Sequence, residues 1–255
     1  MHPAALDQMA LSIKTYLRTD RPYRVMDLGS RVSERQELSH RALLSGYDVD
    51  YVGVDVKPGR NVDIVLAKPY RIDLKSRSVD VVLSGQVFEH IAFPWVTMLE
   101  IARVLRPRGW AFITAPSRGH VHDTYDAWRY YPDSWRALAA FSRLTLKEAH
   151  ADFPPVRRGT DRHHYRAIDQ DGHYWGDSVA VFRKSTRYPE RKIALPREVL
   201  VRWANRVGDL DQVPLPAARP ARLALDGKRL RRKVTADGAP DALGSGGADG
   251  APVVG

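Results

Sequence analysis

Arg24-Val25-Met26-Asp27-Leu28-Gly29-Ser30 and Tyr51-Val52-Gly53-Val54-Asp55 are two apolar runs, each leading to an acid, and in the first a glycine follows the acid by two positions. Short runs of this kind, apolar without alternation, read as strands buried on both faces of a parallel α/β sheet. Ligands of such sheets sit in the crevice beyond the carboxyl ends of the strands. Asp27, Gly29, Ser30 and Asp55 therefore fall where a ligand is expected. Glycine lets backbone approach a cofactor where a Cβ would collide. A carboxylate such as Asp55 can accept from both hydroxyls of a ribose. A dinucleotide fold would require G-x-G-x-x-G at this turn, but Leu28-Gly29-Ser30-Arg31-Val32-Ser33 holds one glycine. A pyrophosphate would find too little open backbone, which argues against NAD.

Val79-Asp80-Val81-Val82-Leu83-Ser84 reads as a further strand, followed by Gly85-Gln86-Val87-Phe88-Glu89-His90-Ile91. Pro94 to Leu105 reads as a helix, with proline in its first turn and Val96, Leu99, Val104 and Leu105 among its apolar positions. Arg106-Pro107-Arg108-Gly109 reads as a turn, and Trp110-Ala111-Phe112-Ile113-Thr114-Ala115 as the fifth strand, ending at Pro116-Ser117.

This connected series resembles the type-11 branch of class I S-adenosylmethionine (SAM) methyltransferases. It is especially similar to a subgroup found beside glycosyltransferases and associated with sugar or polysaccharide methylation. The resemblance runs from about Arg24 to Lys184 and includes Trp175-Gly176-Asp177-Ser178-Val179. It implies a doubly wound, Rossmann-like sheet of seven strands with an antiparallel last strand. The strand candidates lie near 23–27, 50–55, 62–66, 79–84, 110–115, 143–149 and 178–183. One departure is that Arg31 stands where the common D-x-G-x-G loop has its second glycine.

The expected organisation is a SAM-dependent methyltransferase domain over 1–184, a helical extension over 185–212 and a disordered tail over 213–255. Residues 4–18 carry Leu6, Met9, Ile13, Tyr16 and Leu17 at helical spacing, and a second amphipathic helix is expected from Pro196 to Val207. No aromatic residue follows Trp203, so the tail cannot bury enough surface to offset chain entropy. The chain has no cysteine, hence no disulfide framework and no thiolate metal site. It shows no apolar stretch able to span a bilayer and no signal-peptide pattern, so cytoplasmic residence is expected.

Of the net charge of +10, an excess of six falls from Lys184 onward, densest in Lys228-Arg229-Leu230-Arg231-Arg232-Lys233. No aromatics interleave with that run, which speaks against a base-stacking surface and hence against a nucleic-acid partner. Its simplest reading is a solvated basic tail.

The resemblance implies cofactor contacts from Asp27, Gly29 and Ser30 at the methionine and ribose end, from Asp55 at the ribose, and from Gln86 after the fourth strand. The position where relatives hold an adenine-reading acid falls on Lys68, which has donors only; Asp73 or backbone groups are the alternatives. The segment Ser117-Arg118-Gly119-His120-Val121-His122-Asp123-Thr124-Tyr125-Asp126-Ala127-Trp128-Arg129-Tyr130-Tyr131-Pro132 follows the fifth strand and should overhang the reacting methyl group. It resembles the family's H-x-x-P-x-D-x-W-R-(F/Y)-x-P segment, which makes Asp126, Trp128, Arg129 and Tyr130 expected acceptor contacts.

A sugar hydroxyl is a poor nucleophile until its proton is removed, so a base is needed. His122 is the leading candidate, with His120 in reserve, Asp123 as support and His90 as the competitor from the fourth-strand loop. A metal is not expected; were one used, Mg²⁺ on hard oxygen donors would be the ion. The expected activity is SAM-dependent O-methylation of a sugar hydroxyl on a glycan, glycolipid or glycosylated metabolite, a polymethylated mannose polysaccharide among them. The alternatives are a small polyketide, phenolic or lipid acceptor, and a non-catalytic SAM-binding module.

Overall fold

The computed structural model describes residues 3–32, 38–119, 121, 125–151 and 176–207. The chain divides into two units, 1–212 and 213–255, and the second lies outside the described residues, as does the tail expected to be disordered. Within the first unit the elements run α1 (Pro3–Tyr16), β1 (Tyr23–Leu28), α2 (His40–Leu43), β2 (Val49–Asp55), β3 (Ile64–Val65), β4 (Val79–Gly85), a 3₁₀ turn (Phe88–His90) and α3 (Pro94–Val104). They continue as β5 (Leu105–Arg118), α4 (Pro132–Ser142), β6 (Thr145–Ala151), β7 (Gly176–Arg183) and α5 (Glu190–Val207).

The strands form one sheet in the order β3-β2-β1-β4-β5-β7-β6. Pairing is parallel from β3 to β5, and β7 runs antiparallel to both β5 and β6. Alternation along each strand sends side chains to opposite faces. Val25, Val81, Leu83, Phe112 and Val181 meet Met9 and Ile13 of α1, and Leu17 just after it, on one face. Met26, Val82, Ala111, Ile113, Ala180 and Phe182 meet Met98, Ile101, Trp135 and Leu138 of α3 and α4 on the other. The apolar continuity of these strands thus follows from a helical layer on each side. The strand order reverses between β1 and β4, the switch point at which such sheets open a ligand crevice.

Two elements depart from the sequence expectation. Residues 106–109 bulge within β5 rather than preceding it: Val79 pairs with Leu105 and Val81 with Trp110, so the intervening residues loop out, Arg108 at φ +65°. Helix α5 begins at Glu190 and carries Pro196 inside it. Its first turn is held from below, because the buried Lys184 ammonium pairs with Glu190 while donating to the carbonyls of Ala102 (2.7 Å) and Leu105 (2.8 Å). Further along, Val201 and Ala204 pack on Tyr70 and Val96. The buried Glu100 draws in Arg103, Arg197 and Arg71, binding α5 and the 71–74 loop to α3.

Candidate active site

The β1 and β2 tips are latched together. The amides of Gly29 (2.8 Å) and Ser30 (3.2 Å) both donate to the carbonyl of Val54. Gly29 has φ +77°, and a Cβ there would lie 2.1 Å from a methyl of Val87. Glycine at this position is therefore required by backbone conformation and by the packing of the β4 loop, and the space a Cβ would take is filled by Val87 rather than open to a ligand. Asp55 accepts from the amides of Lys57 (2.9 Å) and Arg31 (3.1 Å) and keeps partial exposure at the β2 tip. Each carboxylate oxygen retains a lone pair for a hydroxyl donor. Ser30 is buried, and its Oγ has no hydrogen-bond partner among the described residues. An accepting carboxylate and an unused buried hydroxyl at adjoining strand tips fit the ribose of SAM.

Asp27 lies at the β1 tip as expected, but its carboxylate turns inward. Oδ1 is 2.9 Å from His40 Nδ1, and Oδ2 accepts from the Tyr51 hydroxyl at 2.6 Å. Asn61 Nδ2 donates to Tyr51 Oη (2.8 Å) and to the Ser30 carbonyl (3.0 Å). Burial, then the Asp27 charge, raises the Tyr51 pKa, so this phenol stays a donor. Asp27 thus supports the cofactor loop from beneath instead of reaching a ligand with a free oxygen.

Lys68 is exposed and lines a groove of about 500 Å³ with Arg71, Glu198, Arg202, Asn205 and Arg206, where none of Asp27, Gly29, Ser30 or Asp55 is found. Lys68 thus stands against α5. Gln86, at φ +57°, sends its side-chain amide to Asp177 Oδ1 (3.1 Å), toward β7.

Beyond β5, the segment 125–130 is strapped along the 3₁₀ turn. The amide of Ala127 donates to the Glu89 carbonyl (2.8 Å), Trp128 Nε1 to the Ile91 carbonyl (2.9 Å) and the Tyr130 hydroxyl to the Phe88 carbonyl (3.0 Å). His90 Nδ1 lies 2.6 Å from the Tyr125 carbonyl; a carbonyl only accepts, so Nδ1 carries the proton and Nε2 is left as the basic nitrogen. Nε2 in turn is 3.6 Å from Glu89 Oε1. Burial pushes the Glu89 carboxyl up to about 8, and the Asp126 and Asp177 charges push the same way while Arg129 opposes them. Glu89 is not among the site residues expected from sequence; its signal is an acid in the short turn that follows an apolar strand.

Asp126 is buried and held by Arg129, with Nη2 2.7 Å from Oδ2. Trp128 is 38% exposed and edge-on to Trp95. Tyr130 departs from expectation: it is 3% exposed and stacks on Trp135 at 4.4 Å, so it anchors the strap in the core and offers no face to an acceptor. His120, His122 and Asp123 lie outside the described residues. Among the described residues no cluster of His, Cys, Asp and Glu could hold a metal ion, and no helix is long and apolar enough to cross a membrane.

A family model described as a methyltransferase domain matches residues 35–113. The sheet order and the antiparallel β7 are those of the Rossmann-like class I methyltransferase fold, and the matched segment points to SAM-dependent methyl transfer. Among solved structures, the chain is similar to the YcgJ protein of Bacillus subtilis, at 16% identity and TM-score 0.53, over 72% of this chain and 99% of that one. It is also similar to a protein of Bacillus halodurans provisionally assigned as a methyltransferase, at 14% identity and TM-score 0.51, over 71% and 100% of the two chains. A third similarity is to the [4+2]-cyclase SpnF, at 15% identity and TM-score 0.52, over 70% and 80%. That a cyclase shares the architecture shows why chemistry must be argued from side chains. Comparison with curated proteins gives no match.

Proposed function

We propose that this methyltransferase acts on a sugar hydroxyl, making it a SAM-dependent O-methyltransferase. The observation that carries this reading is the strap at 125–130. It presents a pinned, half-exposed indole, Trp128, beside the Asp126–Arg129 pair at the tips of β4 and β5. An aromatic face takes the apolar face of a sugar ring, and the partly exposed Arg129 guanidinium beside it can donate to a ring hydroxyl. The resemblance of residues 117–132 to the family's H-x-x-P-x-D-x-W-R-(F/Y)-x-P segment is consistent with an acceptor contact there.

Asp55 and the Gly29-Ser30 loop would hold the cofactor, with Gln86 facing the acceptor side. When bound, SAM supplies a methyl group activated by a sulfonium. The chain's own work is to align the acceptor and remove its proton, and alignment alone can supply much of the barrier reduction. Two histidine positions compete as proton acceptor. His122, with His120 and Asp123 beside it in sequence, follows the fifth strand. His90 has Nδ1–H fixed on the Tyr125 carbonyl and Nε2 turned toward Glu89, a carboxyl that burial keeps protonated up to about pH 8.

The test is a methyl-transfer assay with SAM across mannose oligosaccharides, glycolipids, phenols and fatty acids. Mass gain at a sugar hydroxyl is expected. Transfer confined to phenols or lipids would move the protein to a small-molecule acceptor. SAM binding without transfer to any acceptor would leave a binding module.

A further inference from the structure

We infer that helix α5 docks the protein on an anionic lipid bilayer, through a row of exposed apolar side chains flanked by arginine and lysine. Leu195, Val199, Trp203 and Val207 are 73%, 58%, 43% and 41% exposed. Spaced by four, they line up along one side of α5 over about 18 Å. The opposite side is the one that packs, with Val201 and Ala204 buried on Tyr70 and Val96. A helix attached by one face and apolar again on the other presents a surface that the described residues leave uncovered.

The charges around the row are cationic. Arg191, Lys192, Arg202 and Arg206 are exposed on the same side of the helix. Its two acids are engaged, Glu190 by Lys184 and Glu198 by Arg71 and Arg202. Along one edge of the row, Arg202 and Arg206 join Lys68 and Arg71 around the groove of about 500 Å³. Four cations against the single carboxylate of Glu198 make this groove a seat for phosphate-bearing headgroups, directly beside the apolar row.

Those two features together select the occupant. A second copy of α5, laid parallel or antiparallel, would set cations against cations. The chain's own tail brings the basic run at 228–233, cationic as well. A nucleic acid would meet the arginines and leave the apolar row in water. An anionic bilayer offers headgroup charge with an apolar layer beneath it, which matches a helix carrying Trp and Leu beside Lys and Arg. The row also leads inward: Trp203 lies 4.8 Å from Phe93, Phe93 5.8 Å from Trp95, and Trp95 6.2 Å from Trp128, between ring centroids. Docking through α5 therefore holds the Trp128 strap near the bilayer, within reach of a lipid-linked acceptor. That consequence rests on the proposed acceptor role of Trp128; the docking itself does not.

The experiment is co-sedimentation of the full chain with vesicles of phosphatidylcholine alone and of phosphatidylcholine mixed with phosphatidylglycerol. Wild type should bind the mixed vesicles on the order of tenfold more tightly than the neutral ones, a preference that fades in salt. Leu195→Ser/Val199→Ser should weaken binding to the mixed vesicles on the order of tenfold, since two side chains lose their burial in lipid. Both are surface positions, so the melting temperature should stay at that of wild type. Arg202→Gln/Arg206→Gln should weaken binding by a similar factor, and it carries the test if the serine pair fails to fold. Absence of binding to either vesicle, or equal binding to both, would overturn the inference. Binding of the serine pair at wild-type strength would overturn it too, leaving the hold to the basic run at 228–233. A wild-type dimer in sedimentation equilibrium that the serine pair dissociates would give the face to a second copy instead. No arm contains a methyl donor or acceptor, so failure of the proposed function leaves the result standing.

Discussion

Glu89 Oε1 and His90 Nε2 lie 3.6 Å apart in the turn that follows β4, a buried acid beside a histidine whose other nitrogen is fixed. Burial first, and the neighbouring Asp126 and Asp177 charges after it, raise the Glu89 carboxyl from 4.5 to about 8. An acid raised in this way binds more protons folded than unfolded between those two values. By linkage, the stability attributable to the protonated acid is lost progressively as pH rises from about 4.5 through about 8. Glu89→Gln keeps the shape and removes the titration. Melting temperature measured from pH 5 to 9 should therefore fall less steeply in Glu89→Gln than in wild type; parallel profiles would remove Glu89 as the source.

Asp55 accepts two backbone amides and still faces the crevice. Asp55→Ala should weaken S-adenosylhomocysteine by ~1.5–3 kcal/mol, the cost of losing hydrogen bonds to a charged acceptor. Calorimetry decides it. Affinity within twofold of wild type would move the ribose away from the β2 tip.

Tyr130 and Trp128 sit two residues apart and should behave oppositely. Tyr130 is stacked on Trp135 in the core, so Tyr130→Ala removes a buried aromatic and should cost about 3–5 kcal/mol in urea unfolding. Trp128→Ala should lose less stability, since its ring is half exposed, and should raise KM for the acceptor while S-adenosylhomocysteine affinity stays unchanged. An unaltered acceptor KM in Trp128→Ala would reduce the indole to packing against Trp95.

The contrast between those two residues marks where sequence reading stops. The strands β1, β2, β4 and β5 are legible because burial on both faces demands unbroken apolar runs, and Asp55 is legible because it ends one. Helix α4 is absent from the expected elements although Trp135, Leu138, Ala139 and Ser142 follow a helical stripe after Pro132, and Ser134 Oγ accepts from the Tyr131 amide. The fate of Tyr130 was not readable, because an aromatic in a lid segment serves a ligand or a core equally well until its neighbour is known. The same holds for Asp27. Its partner His40 is thirteen residues away across a loop, and no periodicity links them. Pro196 pointed to a helix start, yet the Lys184–Glu190 pair anchors an earlier turn.

Proton removal is the remaining step to assign, and substitution can divide it among the histidines. A positioned general base contributes typically ~10²–10⁴-fold. His122→Ala should lower turnover by that order with S-adenosylhomocysteine affinity near wild type, and His120→Ala by less. His90→Ala is the decisive companion, because the Tyr125 carbonyl already fixes its tautomer and Glu89 stands beside Nε2. Normal turnover in both His120→Ala and His122→Ala, with His90→Ala inactive, would assign the base to His90. In that case Glu89→Gln should also alter the pH profile of kcat, since the acid that titrates beside Nε2 is gone. Activity in all three histidine variants would mean that alignment suffices, or that Asp123 or Asp126 takes the proton. Of those two acids, Asp126 is the weaker base, because Arg129 already occupies its carboxylate.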